Sequence, residues 1–501
     1  MAVYSAIHGL LCVVILILVS IGTSESVPLK SSLIRFSPTR KWNRGAATVL
    51  ASASVSAAKY DVRYYTQILD HFSFVPESYQ TFQQKYLINS DHWGGASAKS
   101  PIFVYTGNEG FIEWFTENTG FMFDIAPQFK AMLVFIEHRF YGHSMPFGSQ
   151  KAAYSNSSTL GFLSSAQALA DFATLITDLK KNLSAEDSPV VVFGGSYGGI
   201  SSSAPILYFD NITPIGSFDD TVSEDFRSES ENCFKVIKGS WNVIDEMTST
   251  PEGLKSLRKA LRICKSNSDN YIAGNLAGWL YDAYYTAAMT DYPVAANFVQ
   301  PLPAYPVKQM CKAIDNPSGS TDLLSQLYGV ANVYYNYTGR SSCFDIRPSD
   351  PHGEDGWQFQ ACTEMVMPMA DDPKKSMFPN STFDYQERVD SCESAYGVQP
   401  RRHWITTQYG GHHIKRVLKN FASNIIFFNG LRDPWSGGGV LEDINESVVA
   451  IVAKEGAHHV DFRFATKDDP QWLKDARTKE ISIIKSWLQQ YYMELQNSSL
   501  I

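Results

Sequence analysis

Charge is scarce in this chain, and what there is leans acidic. Only 19% of the 501 residues are Asp, Glu, Lys or Arg, and 51 acids outnumber 42 bases for a formal net charge of −9. Nucleic-acid-binding surfaces are basic, so this balance argues against one. Apolar runs of membrane-spanning length are missing too. The longest, residues 9–22, holds fourteen uncharged residues, which is short for a bilayer span. Its place near the N-terminus, ahead of small and polar Thr23, Ser24, Glu25 and Ser26, fits a secretory signal over residues 1–26. No Lys or Arg precedes it, and an uncleaved anchor is the alternative reading. Residues 27–59 lack acids while carrying Lys30, Arg35, Arg40, Lys41, Arg44 and Lys59, which reads as a leader or removable pro-segment.

Cysteine is absent from both ends of the mature chain. Apart from Cys12 in the signal, all lie in one central stretch: Cys233, Cys264, Cys311, Cys343, Cys362 and Cys392. An even number behind a signal segment predicts up to three disulfides in an oxidising compartment, with the pairing open. No C-x-x-C spacing occurs, so a metal site is not expected, and the adjacent His412 and His413 do not suggest one. No cofactor is expected either. N-x-[ST] triplets at Asn156, Asn182, Asn211, Asn336, Asn380, Asn445 and Asn497 permit glycosylation.

What is present is ample apolar material, 44% hydrophobic and 13% aromatic, enough for a large core in two or three domains. Residues 101–106, 131–136 and 189–193 are continuous apolar runs of buried-strand type. Between the last two, Leu169, Phe172, Ile176 and Leu179 share one face of a helix predicted over 165–183. Strands recur at 424–429 and 448–453, and an amphipathic helix at 481–495 closes the chain. Strands alternating with helices imply a parallel sheet. Residues 219–400 differ, with every mature cysteine, many aromatics and helical stretches such as 253–264. The predicted layout is an α/β core over 60–218 and 401–501, interrupted by a mainly helical, disulfide-bearing cap domain over 219–400.

The run Val190 to Phe193 leads into Gly194, Gly195, Ser196, Tyr197 and Gly198, the G-x-S-x-G pattern of a nucleophile elbow. Small residues flank the serine because the strand-to-helix turn is tight. A serine hydroxyl needs a base to take its proton, and the base needs a carboxylate to fix its tautomer. Asp433 follows the 424–429 strand and His458 follows the 448–453 strand, in the chain order Ser, Asp, His of α/β-hydrolases. His459 is a rival base and Asp461 a weaker alternative carboxylate. For the oxyanion, backbone N–H groups are expected from Tyr197 and from Gly107 or Asn108, in the loop after an early strand.

The stretches QILDHF (67–72), YTGNEG (105–110), EHRFYGHSMPFG (137–148), GGSYGG (194–199), ACTEMVMP (361–368), NGLRDPWSGGG (429–439) and EGAHHVDF (455–462) span most of 60–490. In them the chain resembles the serine-peptidase family of Pro-X carboxypeptidase and dipeptidyl peptidase II. The resemblance implies an α/β-hydrolase core with a helical cap and cleavage beside proline, and it maps Ser196, Asp433 and His458 onto nucleophile, carboxylate and base. Residues 291–308, 333–339 and 404–411 look more like the carboxypeptidase branch. Trp435, Met367 and Met369 are candidates for an apolar proline pocket. The implied partners are peptides with proline near one end, not nucleic acid, and not membrane once the signal is removed. A homodimer is compatible with it, and the implied location is the lysosome, vacuole or extracellular space. Alternatives are a dipeptidyl aminopeptidase acting on X-Pro N-termini and a non-catalytic secreted binding protein.

One departure stands out. After the elbow, a helix and a return to the next parallel strand take at least about ten to twelve residues. Here Pro205 comes about two helical turns after Ser196, and proline resists helix continuation. The expectation is that an elbow helix and most of a central strand are missing, leaving the chain inactive or badly folded.

Overall fold

The computed structural model describes residues 60–74, 79–200, 206–317, 321–348 and 352–498. Residues 1–59, which include Cys12 and the stretches expected to be signal and leader, lie outside the described residues. Of the expected strands, β3 (Ile102–Thr106) and β4 (Met132–Ile136) are buried at every position, since apolar side chains on both faces suit a covered parallel pair. β5 (Val190–Phe193) continues the parallel set beside β3.

Two strands escape the apolar-run criterion: β1 (Asp61–Ile68) and β2 (Thr81–Asn89). They pair antiparallel with each other, and β2 pairs antiparallel with β4. The sheet is therefore mixed rather than all-parallel, in the order β1-β2-β4-β3-β5. Their inward positions include polar Gln67 and Gln84, whose amides bond each other at 2.9 Å, so hydrophobic alternation is broken where it would have betrayed a strand.

Helices cover both faces. Helix Ser165–Asn182, capped by the Ser164 hydroxyl, packs Ala168, Phe172, Leu175 and Leu179 against Ile102, Val104 and Val134. On the other face Phe103, Leu133 and Phe135 meet Met122 and Ile125 of helix Gly120–Phe129 and Leu473, Ile484 and Leu488 of the closing helix Gln471–Ser498. Arg139 is buried at the rim. Its guanidinium holds Asp171 at 2.7 and 2.6 Å, and His71 contacts the same carboxylate at 2.8 Å.

Helices dominate from Ser217 to Tyr396, apart from a short ribbon, β6 (Ala296–Asn297) with β7 (Pro301–Leu302). Three disulfides resolve the open pairing: Cys233–Cys311, Cys264–Cys343 and Cys362–Cys392. The first two close long loops, where a cross-link removes most entropy from the unfolded chain.

The last strands, β8 (Ile425–Gly430) and β9 (Val448–Ala453), form a separate parallel pair. The elbow helix is short, Ser196–Ile200. One cavity is lined by the whole of β5, by Asn424 and by residues 425–429 of β8, so two strand edges border it. Val192 is 42% exposed, unusual for a strand residue between apolar neighbours.

Candidate active site

The elbow is held from behind by the loop after β3. The Thr106 hydroxyl lies 3.1 Å from the Phe193 carbonyl and 3.0 Å from that of Gly198, while the Asn108 amide donates to the Gly195 carbonyl at 2.5 Å. Tyr105 fixes that amide by donating its hydroxyl to Asn108 Oδ1 at 2.9 Å. Ser196 itself is left-handed, with φ 54°, a conformation that costs a non-glycine residue roughly 1–2 kcal/mol and persists where surroundings enforce it. Close approach explains the flanking glycine: a Cβ on Gly198 would lie 2.6 Å from the Thr106 carbonyl oxygen.

Tyr197 anchors the elbow helix. His138 Nδ1 bonds the Arg139 carbonyl at 2.7 Å, and burial drops this imidazole's pKa to about 4. It is therefore neutral, with Nε2 free to accept the Tyr197 hydroxyl at 3.0 Å. The same hydroxyl accepts from Gln360 Nε2 at 2.7 Å.

Asp433 ends the turn after β8, where Oδ1 accepts the Trp435 N–H at 3.0 Å. Its other oxygen accepts from His458 Nδ1 at 2.6 Å. This bond directs His458 Nε2 away from the carboxylate, and Nε2 is buried without a hydrogen-bond partner. Ser196, Asp433 and His458 line one cavity of about 600 Å³. A nucleophile, an oriented imidazole with a free nitrogen and a buried carboxylate in one cleft are the elements of acyl transfer.

The rivals are placed differently. The ring of His459 lies 3.1 Å from where a Cβ on Gly195 would sit, and burial holds its pKa well below the ordinary histidine value. Asp461 is buried near Arg477 and Glu480, and burial pushes its carboxyl up to about 7. Glu109 also lines the cavity, and burial raises it to about 7 against the pull of its own backbone N–H and of His458. His412 contacts Asp210 at 3.2 Å, which His403 also contacts at 2.5 Å.

Two expectations need correction. The Gly107 N–H donates to the Ile136 carbonyl at 2.9 Å, so it is committed to the sheet and is not an oxyanion donor. Asn108 and Tyr197 remain the candidates. Met369 is buried in the helical core but does not line the cavity; Met365 and Met367 do, with Trp357 and Trp435. Met365 and Trp357 were missed because the chain path, not spacing, decides which side chain reaches a pocket. Also unforeseen is a support from the helical segment: the His458 N–H donates to the Met289 carbonyl at 3.0 Å.

Among curated proteins, the mouse lysosomal Pro-X carboxypeptidase is 43% identical over 464 residues, covering 88% of this chain and 91% of its own. The human protein of the same name is 42% identical over 462 residues, covering 87% and 90%. The human thymus-specific serine protease is more distant, 24% identical over 481 residues and covering 86% and 88%. The family model described as serine carboxypeptidase S28 matches residues 67–480. The chain belongs to the serine carboxypeptidase S28 family.

Proposed function

We propose that this protein is a serine exopeptidase of the lysosomal or secretory lumen, releasing the residue that follows proline at a peptide C-terminus. The observation that carries the reading is the Asp433–His458 bond, which leaves His458 Nε2 free in the cavity that Ser196 lines. His458 takes the Ser196 proton as Oγ attacks the scissile carbonyl carbon, and Asp433 stabilises the resulting imidazolium. The backbone N–H groups of Tyr197 and Asn108 receive the developing oxyanion. His458 then gives its proton to the leaving amine, and water completes the turnover from the acyl-enzyme. Trp357, Met365, Met367 and Trp435 supply an apolar wall on which a proline ring packs. The names of the mouse and human relatives favour the same substrate class.

The test uses peptides blocked at one end. Release of the last residue from an N-acetylated Pro-X peptide, lost in Ser196→Ala, supports the reading. Cleavage only of peptides with a free N-terminus assigns a dipeptidyl aminopeptidase instead. No labelling of Ser196 by a serine-directed probe would make the protein a non-catalytic binder.

We further propose that this chain turns over slowly. The crossover after the elbow is shorter than a helix and a strand require, and the edges of β5 and β8 bordering one cavity support a missing central strand. Turnover is therefore impaired, since an ångström-scale misplacement costs roughly a hundredfold. Inserting a helix–strand crossover between Gly199 and Ala204 should raise kcat/KM by about that factor. Unchanged turnover after insertion into a folded protein would sink the idea.

A further inference from the structure

Glu109 is the one charged side chain in the loop after β3 that the elbow does not use. It is 3% exposed, lines the cavity with Ser196 and His458, and its Oε2 has no hydrogen-bond partner. A buried carboxylate oxygen without a donor is costly. The ionisable groups near enough to interact with it electrostatically are His458, Tyr105, Tyr197 and Tyr141. All three phenols are already engaged: Tyr105 donates to Asn108, Tyr197 to His138, and Tyr141 to Gln360. The protein thus leaves this oxygen for something that enters the cavity.

Resting on the exopeptidase reading above, we infer that Glu109 recognises the free terminal carboxylate of the substrate, donating its own carboxyl proton to it. The leaving residue carries that carboxylate and departs on the side of His458, which protonates its amine. Glu109 lies close enough to His458 to feel its charge. Burial lifts the Glu109 carboxyl to about 7, so in mildly acidic solution it keeps the proton this bond needs. Ionised, it would repel a carboxylate and attract an ammonium instead.

The probe is an N-acetylated Pro-Phe peptide, as free acid and as C-terminal amide, titrated calorimetrically into the Ser196→Ala protein. At about pH 5 the acid should bind roughly ten- to a hundredfold more tightly than the amide, the range of one charge-assisted hydrogen bond. By about pH 9, beyond the Glu109 pKa of about 7, this advantage should shrink. Adding Glu109→Gln, which keeps a donor without the charge, should retain most of the advantage at both pH values. Adding Glu109→Ala should remove it at both while the amide binds as before, which reports an intact fold. An undiminished acid advantage in the Glu109→Ala protein overturns the assignment and leaves the exopeptidase reading standing. An amide bound as well as the acid by the Glu109 protein overturns both the assignment and the exopeptidase reading, as does binding of neither peptide.

Discussion

The hydroxyl of Tyr292 donates to the backbone carbonyl of His458 at 3.0 Å. With the Met289 carbonyl accepting the His458 N–H on the other side, the end of helix Asp269–Met289 and the residues just after it hold the histidine by its main chain. Replacing Tyr292 by Phe leaves that buried carbonyl unpaired at a cost of about 1–3 kcal/mol. Urea unfolding should show that loss. Labelling of Ser196 by a serine-directed probe should slow by more than it does in a surface variant matched for stability.

Stability should fall as solution becomes alkaline. Burial holds Glu109, Glu137 and Asp461 at about 7 in the folded state, against about 4 when unfolded. The folded protein therefore binds more protons between those values, so it is stabilised below neutrality and that contribution is lost as pH rises through about 7. His138, lowered to about 4, and His459, also lowered, act in the opposite sense below about 6.5. Between about pH 6.5 and 8 only the carboxyls remain in play. The urea midpoint should be lower at about pH 8 than at about pH 6, and Asp461→Asn should flatten the difference.

Arg139, Asp171 and His71 form a buried cluster with no solvent to replace a lost partner. Arg139→Ala strands the Asp171 charge and should destabilise by about 3–5 kcal/mol. Thermal melting checks this. Replacing the Arg139–Asp171 pair together by apolar residues of similar volume should restore part of the loss.

Glycan occupancy should follow exposure. Asn156, Asn182, Asn211, Asn380 and Asn497 are exposed. Asn336 is half-buried, its amide donating to Asn332 at 2.9 Å while its carbonyl oxygen accepts the Ser341 N–H at 2.7 Å. Mass spectrometry of the secreted protein should find the first group occupied and Asn336 bare.

β3, β4, β5, β8 and β9 are legible because each is a continuous apolar run, although only β3 and β4 are buried at every position. β1 and β2 are not legible, since Gln67 and Gln84 satisfy each other inside the sheet and hide its period. The order of Ser196, Asp433 and His458 was legible because each follows a strand, and His458 rather than His459 meets Asp433. The commitment of the Gly107 amide and the support from Met289 depend on contacts between segments far apart in sequence, which spacing does not encode. The same holds for Met365 standing at the cavity where Met369 was expected.

The divided sheet places the nucleophile and its base on separate rafts. Ser196 rides on the five-stranded piece, Asp433 and His458 on the two-stranded one. In an unbroken sheet, a ladder of backbone hydrogen bonds would set the spacing between them. Here that duty passes to side chains and loops, among them the grip of Tyr292 and Met289 on one half and of Asn108 on the other. Alignment of the reacting atoms then becomes a property of the helical superstructure, and loosening that superstructure should silence the hydroxyl before the fold itself gives way.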